Sequence, residues 1–346
     1  MSIESTDIKF FRSEIVSDGA SNGGRMSNNE SVSGQKNNLW ADVPGRERKD
    51  GSIKWRKVFI KNANSDNLTG IDMRIFVHQP TAAADRVFFF AGTQVDTQAD
   101  ISGSHVNHGS GALLASATAG ANSIQVTVEN AADNIFIPGN LVRISNKPTV
   151  ESDGLEEFIR IKNDVSGVTW SGDVATLTFE VGAMLLNSYA SSDTFVSTVY
   201  EAGNLWAMTD TWAISSSTGT FSGWNGSGAV PPELLTERLA DFIAGIEQTW
   251  TITFTSATAF SCSGNTLGLV GSGSTTANFA PQNTEFSRPY FTLPLTKWAG
   301  TWAIGDVLTF KTHPAAIPIW ECRTISANSP SLSGNFVSIG VWGESE

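Results

Sequence analysis

This chain of 346 residues predicts a mainly β protein: β-sandwich or barrel domains, one short helix and an extended N-terminal arm. Three observations carry that expectation. Only 16 % of the residues are charged, against roughly a quarter in an average domain, and Ser, Thr, Asn and Gly fill the gap. Such a composition suits strands joined by tight turns and fits long helices poorly. Apolar and polar residues also alternate over several short runs, and turn residues separate those runs at regular spacing.

Taken in order, residues 1–50 hold only short apolar pieces (Ile8, Phe10 and Phe11, then Ile15 and Val16) set among Ser, Asn, Gly and Asp. They read as an extended assembly arm with one or two edge strands. Such a segment buries too little to offset its own ordering entropy, so a partner molecule is expected to order it. From Ile53 the pattern changes. IKWRKVFIKN is strand-like, and in IDMRIFVHQP the residues Ile71, Met73, Ile75 and Val77 share one face until Pro80 ends the run. DRVFFFAG reads as a strand buried on both faces. Then come NSIQVTVEN, IPGNLVRIS, EEFIRIKN and the two arms of GVTWSGDVATLTFEVG, which flank a Ser171-Gly172-Asp173 turn. In the last arm Ala175, Leu177, Phe179 and Val181 alternate. These runs predict a small β-barrel or sandwich at 112–184, inserted into a discontinuous β domain made of 51–111 and 185–346.

The one helix is expected at PPELLTERLADFIAGI, residues 231–246. Two prolines with Glu233 and Glu237 suit a helix start, and Leu235, Leu239, Phe242 and Ile246 recur on one face. TWTITFTSATAFSCSG, GDVLTFKT and NFVSIGVWGE are strand-like again.

The formal charge of −12 argues against nucleic acid as a partner for the whole surface. No run approaches the ~18 apolar residues of a membrane span. MSIESTDIKFFRSE lacks the basic and apolar regions of a secretory signal. Cys262 and Cys322, sixty positions apart, read as reduced, half-buried thiols.

No nucleophile elbow, phosphate loop, dinucleotide fingerprint or zinc-protease signature is present, so neither an enzyme nor a cofactor is expected. Glu156 and Glu157 are adjacent on a strand and point to opposite faces, so they cannot act as a pair. His105 and His108 in SHVNHG are the candidates for a metal, with Asp96 and Asp100 as nearby oxygen donors, although the flanking glycines fit a loop of solvent-exposed histidines. Trp206 and Trp224, in GNLW and FSGWNGSG, are candidate receptor or glycan contacts. With eleven Trp and few charges, packing between sheets or against another subunit is the preferred reading for them and for Trp212. Positive charge bunches at Arg46, Arg48, Lys49, Lys54, Arg56 and Lys57. A charged edge strand protected from aggregation explains it, and so does docking onto the acidic body of a neighbouring copy.

NGGRMS, NNLWADVPGRERKDGSIKWRKVFIKN, FFFAGTQVDTQADI and GDVLTFKTHPAAIPIWECR, in this order, resemble a family of uncharacterised virion structural proteins. These are encoded in the tail-gene region of tailed bacteriophages, Mu-like phages included. The resemblance implies a tail, baseplate or tail-tip component present in many copies and assembled in the host cytoplasm. Its partners would be copies of itself, other tail proteins and a host surface receptor, without nucleic acid or membrane insertion. A receptor- or glycan-binding tail protein, and a capsid decoration or head–tail connector protein, are the alternatives. The family brings no catalytic motif. Arg25, Trp40, Arg46, Arg48, Lys54, Trp55 and Arg56 are the residues expected at the assembly interface.

Overall fold

The computed structural model describes residues 2–222, 237–239 and 241–346, and the fold is mainly β. In chain order the first part forms β1 (Ile8–Ile15), β2 (Gly23–Glu30), a six-residue helix α1 (Gly45–Asp50), β3 (Ser52–Asn62), β4 (Gly70–Val77), β5 (Asp85–Ala91), β6 (Ser110–Leu113), β7 (Ser123–Thr127), β8 (Leu141–Ser145), β9 (Glu156–Arg160), β10 (Val168–Ser171), β11 (Val174–Thr178), β12 (Phe195–Leu205) and β13 (Met208–Ser215). The rest forms β14 (Thr220–Phe221), β15 (Glu237–Arg238), β16 (Gln248–Phe254), β17 (Ala259–Gly264), β18 (Gly268–Ser274), β19 (Gln282–Asn283), β20 (Arg288–Pro289), β21 (Trp298–Ala299), β22 (Val307–His313), β23 (Ala316–Ile325) and β24 (Ile339–Ser345).

Three larger sheets and two two-stranded ones, β14-β21 and β19-β20, organise these strands, and all their pairings are antiparallel. A five-stranded sheet runs β2-β1-β3-β23-β5. A six-stranded sheet runs β15-β13-β22-β16-β17-β18, and a nine-stranded sheet joins β4, β6–β12 and β24. The five-stranded sheet lies between two cores. Phe89 of β5, Val58 and Ile60 of β3, and Ile317 and Ile319 of β23 pack into an aromatic core with Trp212, Trp250, Phe254, Trp302 and Phe310. Phe88 and Phe90, with Trp320 and Cys322, pack into the other core, formed mainly by residues 113–196. Alternation along one strand serves both, so the DRVFFFAG run is buried on both faces as its unbroken apolar sequence predicts.

The expected free arm requires correction. Ile8–Arg12 pair with Val58–Asn62, and β2 folds back on β1. Phe11 is buried on Phe59 and Ala316. The first fifty residues thus add two strands to the chain's own sheet. Their low apolar content misleads because the burial they need is offered by β3, a strand that is apolar on both faces where β1 crosses it. They also contain α1, which sequence reading left inside the arm.

Residues 112–184 do not stand apart from the body. β6 pairs β7, β7 pairs β11, the end of β11 bridges to the end of β9 at Ile161–Phe179, β9 pairs β8, and β8 and β6 both pair β12. The pairings close a ring that borrows Ser110–Leu113 and β12. The Ser171–Val174 hairpin forms as predicted, with Gly172 at the positive φ that the two-residue turn requires. Val181, however, lies beyond the end of β11 and is 89 % exposed.

The expected helix at 231–246 is corrected over its described part. Glu237 and Arg238 form β15 against Met208 and Thr209. The amide of Leu239 donates to the Ala207 carbonyl, and that of Phe242 to Asn67 Oδ1. Leu239 and Phe242 reach the aromatic core from this extended backbone, so tertiary pairing overrides a helical period. Pro231–Thr236 and Ala240 lie outside the described residues.

Candidate functional site

Residues of NGGRMS, NNLWADVPGRERKDGSIKWRKVFIKN, FFFAGTQVDTQADI and GDVLTFKTHPAAIPIWECR converge on one buried node. Lys57, whose side chain is wholly buried, places its ammonium 2.6 Å from Asp96 Oδ1 and donates to the carbonyls of Gly24 and Asp96. Trp320 Nε1 donates to the other carboxylate oxygen of Asp96 at 2.9 Å. Around this pair the Gly24 amide donates to the Asp96 carbonyl, and Asn22 Nδ2 donates to the Trp55 carbonyl and to Gln98. Gly23 has φ +107° and no room for a side chain: a Cβ there would lie 2.7 Å from the Trp320 ring and 2.8 Å from the Asp96 carbonyl. Desolvation lowers the Lys57 pKa below the usual lysine value, and Asp96 opposes that shift. Chemically the node is a clasp: it fixes the start of β2 to the loop after β5.

A second polar cluster lies on the opposite face of the same sheet. Glu321 is buried and accepts from Trp40 Nε1 at 3.0 Å. The guanidinium groups of Arg56 and Arg323 lie over the Trp40 ring, 5.1 and 4.6 Å from its centroid. Burial pushes the Glu321 carboxyl up to about 7, against smaller opposing effects of the Trp40 hydrogen bond and Arg323.

These two clusters absorb much of the predicted assembly interface. Lys54 pairs with Asp18 and Glu47, and Arg56 with Asp18. Trp55 packs edge-on against Phe88 and Phe90. Trp40 covers Glu321. The acidic groups that Lys54, Arg56 and Lys57 meet are therefore their own chain's. Arg25 is half-buried in β2, and its amide donates to Glu14. Arg48 is half-buried on α1, while Arg46 is 91 % exposed there and makes a long contact to Asp50.

His105 and His108 are not brought together as a ligand pair. The loop runs along the edge of β5, and their rings stack on Phe90 and Phe89, which point to opposite faces. Among the described residues no three His, Cys, Asp or Glu side chains cluster as a metal site. His108 is buried, and burial pulls its pKa down to about 4. Both histidines line one open cleft of about 420 Å³, with Tyr200, Glu201, Asn140 and Val199. Glu156 pairs with Arg143 and Lys147, whereas Glu157 accepts the amides of Leu186 and Asn187, so the two acids do face apart. Trp212 stacks on Phe310 in the core, and Trp206 is half-buried against the same core. Trp224 lies outside the described residues. Cys262 and Cys322 are free, sit in separate cores, and have thiols pushed up to about 12 by burial.

Sequence reading missed an apolar tip. Val165 is 93 % exposed, and Val181, Met184 and Leu186 are exposed on the neighbouring loop. The Asn163 amide donates to Glu180, tying the two loops together. Val181 continues the alternation of Ala175, Leu177 and Phe179, but the pairing ends at Phe179. Compared with protein-family models, curated proteins and solved structures, the chain finds no match.

Proposed function

We propose that this chain is a structural component of a tailed-bacteriophage virion, a tail, baseplate or tail-tip protein assembled in several copies with other tail proteins. The apolar tip carries the reading: large side chains exposed together on tied loops are a feature of protein contact surfaces. The clasp is consistent with it, since the strings on which the resemblance to virion proteins was drawn meet at that node. In an infecting phage, V165D/V181D is expected to stop particle assembly or to leave particles lacking this chain, while the purified variant melts at the wild-type temperature. Particles that assemble normally with the variant, or purified virions that contain no trace of the chain, would contradict the proposal. A role in receptor or glycan binding is the second reading, favoured by the cleft beside Tyr200 and Asn140. It calls for Tyr200→Ala particles that form and fail to adsorb.

A further inference from the structure

We propose that β18 is a strand-addition site through which two copies of this chain pair edge to edge. The inference rests on sheet-edge chemistry and does not need the virion reading.

β18 ends the six-stranded sheet and pairs only with β17. At one end of this edge the Ala277 amide donates to the Ser274 carbonyl, and no other backbone segment among the described residues hydrogen-bonds it. An open row of N–H and C=O groups is a template for another strand, and edges are ordinarily guarded by charge, proline, shortness or a cover. The other edges of the sheets follow that rule. β2 carries Arg25 and Glu30, β24 carries Glu344, β15 is Glu237–Arg238, and β9 holds Glu156, Glu157 and Arg160. β5 is covered at Phe89 by the His108 bridge, and β10 has only four residues.

β18 lacks charge, proline and shortness, and its one such device is a β-bulge at Val270, where its register against β17 slips. Seven residues long, it reads GLVGSGS, and no Asp, Glu, Lys or Arg occurs anywhere between Glu247 and Glu285. Leu269 is 68 % exposed on it. On the inner face Phe260 and Phe279 fill the space at Gly273, where a Cβ would come within 2.7 Å of either ring. The strand is therefore close-packed on Phe260 and Phe279 at Gly273, while no other strand among the described residues pairs with its outer edge.

A second copy fits this edge better than a partner chosen by charge. The strand offers no charge for an acidic or basic ligand to recognise, and pairing with itself sets no like charges opposite one another. A two-fold pairing also uses both edges at once and leaves none open for further growth. The net charge of −12 opposes association at long range, so salt should strengthen the pairing, the reverse of a contact held by ion pairs.

The test is sedimentation velocity on the purified full chain over a wide concentration range, at low and moderate salt. The wild type is expected to form a dimer that tightens with salt. L269K/S272K should weaken it at least about tenfold, whereas T169K/S171K on β10 should leave it unchanged. Hydrogen exchange on the wild type provides a readout that needs no variant: amides of 268–274 gain protection as the dimer fills. A wild type that stays monomeric, a dimer that L269K/S272K does not weaken, or one that forms without protecting 268–274 would each overturn the proposal. Failure of the chain to appear in virions would leave this result untouched, so the two readings fail separately.

Discussion

Replacing Asp96 with alanine is expected to lower the unfolding free energy by about 3–5 kcal/mol, the range for breaking a buried ion pair by removing one partner. The magnitude follows from what is left behind. The Lys57 ammonium retains its carbonyl acceptors at Gly24 and Asp96 but loses its counter-charge, with no solvent exposure to compensate. Trp320 Nε1 loses its acceptor in the same step. Asp96→Asn keeps a hydrogen-bond acceptor and should cost less. Adding Lys57→Met to Asp96→Ala should recover part of the loss, because it removes the stranded charge. In urea titrations the midpoint should fall with an unchanged slope. A loss below about 1 kcal/mol, as for an exposed ion pair, would show that the clasp is not closed in solution.

The second large effect is a stabilising contribution of Glu321 that declines as pH rises. In the unfolded chain Glu321 titrates at its ordinary value, 4.5, whereas in the fold burial holds it at about 7. Between those values the folded protein keeps a proton that the unfolded chain has released. The group's contribution is therefore fully present below pH 4.5, is lost progressively as pH rises toward 7, and is level beyond. The difference corresponds to about 3 kcal/mol at most. Glu129 is pushed to about 7 as well, by burial and by Asp85, but it is solvent-exposed, so screening makes its share smaller. Burial of His108, whose pKa falls from 6.5 to about 4, acts the other way and adds stability as pH rises between those values. The contribution of Glu321 is therefore read as a difference: in unfolding titrations at several pH values, the stability of the wild type relative to Glu321→Gln should fall across pH 4.5–7. If that difference does not change with pH, Glu321 is not the buried acid that Trp40 covers.

Much of the fold was legible because strand chemistry is local. The alternation of β11 and its Gly172 turn, and the double-faced burial of Phe88–Phe90, follow from side-chain period and turn residues alone. What stayed hidden depends on partners distant in sequence. NGGRMS carries almost no apolar signal, yet Gly23 is needed because Trp320, about three hundred residues later, occupies the space. Lys57 and Arg56 read as one basic patch, but strand alternation sends them to opposite faces, one to Asp96 and the other to Trp40 and Asp18. Leu239 and Phe242 show a helical period because both reach the core, though from turns and not from a helix. Of the candidate sites, the positions of the basic residues were visible and their partners were not. The apolar tip was concealed by the same alternation that located β11.

The central claim is that the first thirty residues belong to the chain's own β-sheet. Hydrogen exchange of the isolated protein, diluted until it is monomeric, tests it most directly. Amides of Ile8–Arg12 should exchange as slowly as those of Val58–Asn62, the strand they pair with, and Gly24 should be slow because its amide is bound to the Asp96 carbonyl. Exchange of these amides at the rate of an unstructured peptide, with the rest of the sheet still protected, would contradict the account and restore a free arm awaiting another molecule.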